Sequence, residues 1–139
     1  MQSNLAGTYR SLGRLDDCLR TQVDVYSLTL KLYGEEAFET LGAASNYAKS
    51  LRALKSYKGA KFLLRRTIPV ARRALGEDNK LTLTLRWCYA EALYTDPDAT
   101  LDDMREAVNT LQEVERTARR VLGGAHPLTT SIEREIQNS

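Results

Sequence analysis

Few residues of this sequence could do acid–base or covalent chemistry, and those few are poorly placed for it. The only histidine, His126, is followed by Pro127 and has no acid, base or nucleophile at a suggestive spacing. Neither Cys18 nor Cys88 has an adjacent base, and their helical positions in different parts of the chain predict buried, reduced thiols rather than a disulfide or a metal site. Asp16-Asp17 and Asp102-Asp103 stand at expected helix starts, where carboxylates favour the positive end of the helix dipole. No glycine-rich loop is spaced to cradle a phosphate. The chain reads as a protein that is not an enzyme, with no catalytic residues, no cofactor and no metal.

What remains is an uneven distribution of charge. From Tyr47 to Gly76 there is no Asp or Glu, yet Lys49, Arg52, Lys55, Lys58, Lys61, Arg65, Arg66, Arg72 and Arg73 all fall there. A solvated helix surface accounts for most of these. Lys49 and Arg52 invite another reading, because their three-residue spacing puts them on one helix face with Asn46. The following stretch is acidic, with Glu91, Asp96, Asp98, Asp102, Asp103 and Glu106, so the net charge of the 139 residues is only +2.

The elements that must carry these residues repeat. Asn4-Leu5-Ala6, Asn46-Tyr47-Ala48 and Cys88-Tyr89-Ala90 recur at one interval (46 − 4 = 88 − 46 = 42), and Tyr33-Gly34, Leu75-Gly76 and Leu122-Gly123 close the same units. The last unit is longer (123 − 76 = 47), and the extra residues fall in the Thr95–Thr100 turn. A period of this size is the mark of stacked helical repeats. In the middle unit Ala44, Tyr47, Ala48, Leu51 and Leu54 form the apolar stripe of a first helix ending near Lys55-Ser56. A second stripe, Ala60, Leu63, Leu64, Thr67, Ile68, Ala71, Ala74 and Leu75, predicts a longer helix with Arg72 and Arg73 in its last turn and Gly76 as its cap. Pro69 lies inside that helix and predicts a kink, or alternatively a break at Ile68.

Transferring the period predicts a first-unit helix to about Leu12, a turn at Gly13 and a helix from Leu15 to Tyr33. The third unit has helices over about Leu81–Tyr94 and Leu101–Leu122, the latter opened by a Thr100/Asp103 capping box. His126-Pro127 opens a last helix, Leu128 to Gln137. The expectation is therefore seven helices and no strand. With 42% hydrophobic and 27% charged residues the chain has an ordinary soluble composition; it shows neither a membrane span nor a signal peptide, and it reads as cytoplasmic.

Asn4-Leu5-Ala6-Gly7-Thr8-Tyr9, Gly13 and Leu122-Gly123-Gly124-Ala125-His126-Pro127-Leu128 resemble the tetratricopeptide repeats of kinesin light chains, and the likeness covers essentially the whole chain. Lys55 stands where that pattern has its turn glycine, Cys88 where it has asparagine, and Asn79-Lys80 where it has His-Pro. The resemblance implies an all-α fold of antiparallel helix pairs stacked into a right-handed superhelical solenoid. One domain of 139 residues would comprise repeats over about 1–40, 41–82 and 83–129, with residues 130–139 as a capping helix or the start of a fourth repeat.

In such arrays the first helices line a concave groove. That face would carry Asn4 and Arg10 from the first unit, Ser45, Asn46, Lys49 and Arg52 from the second, and Trp87 from the third. For Trp87, packing between units is the competing role. Asparagine can hydrogen-bond a peptide backbone, and Lys or Arg can pair with carboxylates. The implied function is binding of a short acidic peptide segment of a protein partner. The alternative is RNA binding through the basic middle unit, against which the acidic third unit and the small net charge both speak.

Overall fold

The computed structural model describes the backbone of residues 2–123 and the side chains of residues 13–123. Within them are five α-helices and no strand: α1 (Gln2–Tyr33), α2 (Phe38–Ala53), α3 (Tyr57–Leu75), α4 (Lys80–Thr95) and α5 (Leu101–Leu122). Each helix packs on the next, and α2 also packs on α4, which is the succession expected of a stacked helix-pair solenoid.

The apolar spacing explains these contacts. On α3, Ala60, Leu63, Leu64, Thr67, Ile68 and Ala71 are buried, and on α5 so are Ala107, Leu111, Val114 and Ala118. These are single stripes, since α3 and α5 each turn one face to the stack. The first helices α2 and α4 are buried on more sides because neighbours flank them. One core cluster joins Leu41, Ala48 and Leu51 of α2 to Leu64 and Ile68 of α3 and Leu85 and Cys88 of α4, with Leu19 and Tyr26 of α1 against it. Two smaller clusters lie between α4 and α5, and Trp87 packs against both.

The punctuation is regular. Gly34, Gly76 and Gly123 all have φ between 87° and 95°. With ψ of 159° at Gly76 and 155° at Gly123, the cap is an extended positive-φ conformation that glycine alone adopts at little cost, rather than the left-handed helical one. Thr100 accepts from the Asp103 N–H while Asp103 accepts from the Thr100 N–H, so the capping box is formed. The α3 helix runs unbroken through Pro69, which is exposed, so the carbonyl left without its partner is on the solvent side.

Two expectations are corrected. The turn at Gly13 is absent: α1 is one helix of 32 residues, so the two first-unit helices are fused and the described residues hold five helices, with Leu128–Gln137 outside them. An isolated glycine costs a helix only about 1 kcal/mol, and a turn forms only if the returning helix finds a face to bury against. Cys18, expected to be buried, is consequently exposed.

Candidate functional site

The α2 helix supplies the candidate side chains, and its neighbours decide which of them remain available. Asn46 and Lys49 are exposed and Arg52 is half-buried on the side of α2 beside α4. Lys49 has no hydrogen-bond or ion-pair partner among the described residues. Arg52 reaches across to α4, its Nη2 lying 3.7 Å from Glu91 Oε2. Thr84, Glu91 and Tyr94, at helical spacing on α4, are half-exposed beside them. Asn46, Lys49, Arg52 and Glu91 therefore form one polar strip across two adjacent first helices.

The remaining candidates fall elsewhere. Ser45 is buried, at 2% exposure, beside the Cys88 thiol of α4. Trp87 is half-buried and packs against both α4–α5 clusters, and its buried indole N–H has no hydrogen-bond partner among the described residues. Asn4 and Arg10 belong to the first turns of α1 and lie outside the residues whose side chains are described. His126 also lies outside the described residues.

Cys88, which holds the place of Asn46 one unit later, is buried. Burial pushes its thiol up to about 11, against the opposing influence of Lys49 and Arg52. The thiol is therefore un-ionised near neutrality, and Cys88 is a packing residue rather than a nucleophile.

Several cations of the basic middle unit are engaged by other residues of the chain, Lys61 and Arg73 by the units on either side. Lys61 Nζ donates to Asp96 Oδ2 at 2.9 Å, and both side chains are largely buried. The Asp96 carboxyl is held below the ordinary carboxylate range, first by the Asp98 backbone N–H and then by Lys61. Arg73 pairs with Glu36 at 3.1 Å and Arg72 with Glu77 at 3.0 Å.

Residues Arg65, Ile68, Arg72, Arg86, Tyr89, Glu106 and Thr110 line a second concavity, between α3, α4 and α5, that charge counting did not single out. There Arg65 Nε donates to the Tyr89 hydroxyl at 3.0 Å with its guanidinium over the ring, Tyr89 reaches Glu106 at 3.2 Å, and Arg86 pairs with Glu113. Each arginine in this concavity already has a partner, so the arrangement fastens helices together. Local sequence could not signal it, because its members come from three helices.

Among the described residues no group of His, Cys, Asp and Glu is arranged to hold a metal ion, and no helix is long and apolar enough to cross a membrane. A search of curated proteins finds no match to this chain. Residues 40–79, from α2 through α3 to the linker before α4, match the family model of the tetratricopeptide repeat, and the α4–α5 pair that follows repeats the α2–α3 arrangement.

Proposed function

We propose that the chain is a non-catalytic binding module that holds a short acidic peptide segment of a partner protein along α2 and α4, in the manner of kinesin light chain-like repeats. Tetratricopeptide repeats in general mediate protein–protein interaction. The observation that carries the finer reading is the availability of Lys49. It is exposed and has no ion-pair partner among the described residues, and unlike the similarly exposed Lys55 and Lys58 it lies beside Asn46 and Arg52 on α2, in a unit where Lys61, Arg72 and Arg73 are already bound to acids of the same chain. A carboxylate arriving there meets a cation without having to displace an internal partner. Asn46, three residues away, offers both a donor and an acceptor to a peptide backbone.

The test is fluorescence anisotropy with labelled Glu-rich peptides and, separately, labelled single-stranded RNA. Lys49→Glu with Arg52→Glu abolishes peptide binding, and Asn46→Ala weakens it by about 1 kcal/mol. Arg72→Glu with Arg73→Glu leaves it intact. Binding that ignores Asn46, Lys49 and Arg52 but falls with Arg72 and Arg73 moves the site off this strip. RNA binding that collapses steeply with salt, with no peptide binding, replaces the reading altogether.

A further inference from the structure

The repeat register allows a position-by-position comparison of the second helices, and α1 fails it on one side. Val25 of α1 corresponds to Thr67 of α3 and to Val114 of α5. Thr67 is 6% exposed and Val114 is fully buried, whereas Val25 is 41% exposed. Cys18 is likewise exposed where its counterparts Ala60 and Ala107 are buried, and Thr21 is exposed where Leu63 is buried. With Leu28 and Leu32, exposed at 56% and 62%, Thr21 and Val25 make an uncovered stripe along α1, bordered by Cys18, whose Sγ lies 3.8 Å from Ser50 Oγ of α2. The opposite side of α1 is in order: Leu19 and Tyr26 pack against the core below α2.

In units two and three the positions corresponding to Cys18 and Val25 are covered by the unit's own first helix, α2 or α4, folded back through a turn, while Ala74 and Val121, the counterparts of Leu32, stay exposed. The first unit has the sequence of such a helix. Residues 4–12 (NLAGTYRSL) align with 46–54 (NYAKSLRAL), sharing Asn4/Asn46, Ala6/Ala48, Arg10/Arg52 and Leu12/Leu54. Yet this segment continues α1 in a straight line through Gly13 instead of returning. Eleven residues at 1.5 Å each form an arm of roughly 16 Å. A helix cannot lie against its own extension, so the arm and the face that it matches cannot meet within one such chain.

We infer that the occupant of the uncovered face is the arm of a second copy: residues 2–12 of each chain lie on the Thr21–Leu32 stripe of the other, giving a reciprocal, two-fold exchanged dimer. Exchange of an identical element is a low-cost route to a dimer, since the contact formed between chains replaces the one that a fold-back would form within each. The occupant is chosen over an unrelated partner because the arm has the register of α2, the helix that covers the equivalent face of α3.

Light scattering coupled to size exclusion, run on the full chain over a concentration series, tests this. The parent is a dimer that dissociates on dilution. Val25→Glu with Leu28→Glu, both exposed in a single chain, gives a monomer of unchanged helicity, in which Cys18 is alkylated faster than in the parent. Gly13→Ala favours the continuous helix and tightens the dimer by about fivefold per arm. Gly13→Pro breaks the helix at the hinge and shifts the chain to monomer, which distinguishes arm exchange from a dimer formed elsewhere on the surface. A parent that is monomeric at every concentration, or a dimer indifferent to Val25, Leu28 and Gly13, overturns the inference.

Discussion

Glu91→Gln should strengthen binding of an acidic peptide, which is unusual for a substitution inside a proposed binding strip. In the free protein Glu91 lies 3.7 Å from Arg52, and Arg52 is about one-third exposed while Glu91 is largely covered. At this separation the gross attraction is about 4 kcal/mol for an effective dielectric constant near 20. Double-mutant cycles on partly solvated pairs return only about 0.2–1 kcal/mol once desolvation and side-chain ordering are paid. An incoming carboxylate must compete with Glu91 for that guanidinium and also meets the charge of Glu91 itself. Removing this charge should therefore gain about 1 kcal/mol, or roughly fivefold in Kd.

The assay is anisotropy with one Glu-rich peptide against parent, Glu91→Gln, Arg52→Gln and the double variant, at two salt concentrations. The gain should disappear in the Arg52→Gln background and shrink at the higher salt. Unchanged or weaker binding in Glu91→Gln would refute the reasoning, because Arg52 would then not be a ligand contact that Glu91 restrains.

Leu64→Ala removes a fully buried side chain at the junction of α2, α3 and α4, and should cost about 3 kcal/mol in denaturant unfolding. Leu111→Ala, equally buried but at the α4–α5 contact alone, should cost less because fewer interfaces depend on it. In a Cys18→Ser background, iodoacetamide at pH 8 should leave Cys88 unmodified until denaturant is added, since burial keeps its thiol protonated up to about 11; rapid labelling of the folded chain would place Cys88 at the surface. Lys55→Gly should raise stability by about 0.5 kcal/mol, because Lys55 sits at φ 64° in a turn where a side chain is strained.

The helix pairs of the second and third units were legible because each is fixed by local features: apolar spacing on α2, α3 and α5, glycine caps at 76 and 123, and the Thr100/Asp103 box. The polar strip was legible only in part. A helical wheel of α2 shows which residues oppose Ala48 and Leu51, but not that Ser45 will be buried while its neighbours Asn46 and Lys49 stay exposed. Charge was the least legible feature. The partners of Lys61 and Arg73 lie 35 and 37 residues away, so a local count of cations cannot reveal that these are already neutralised within the stack.

Gly13 and Lys55 show why the turn residue alone does not decide the turn. They occupy the same place in successive units. The glycine, free to adopt positive φ, stays in a helix, while the lysine, strained there, makes the turn: the Lys55 N–H donates to the Arg52 carbonyl and the Ser56 N–H to that of Leu51. The strain at Lys55 opposes this turn, and burial on the far side favours it. The α2 helix is held between α1, α3 and α4, and returning α3 against it buries Leu51, Ala60 and Leu63. A few such side chains contribute several kcal/mol, more than the cost of one lysine in the left-handed region. Around Gly13 no helix among the described residues lies on the far side for the arm to be held against, and there the continuous helix keeps its backbone hydrogen bonds. A neighbour that supplied such a face would supply what the glycine by itself does not.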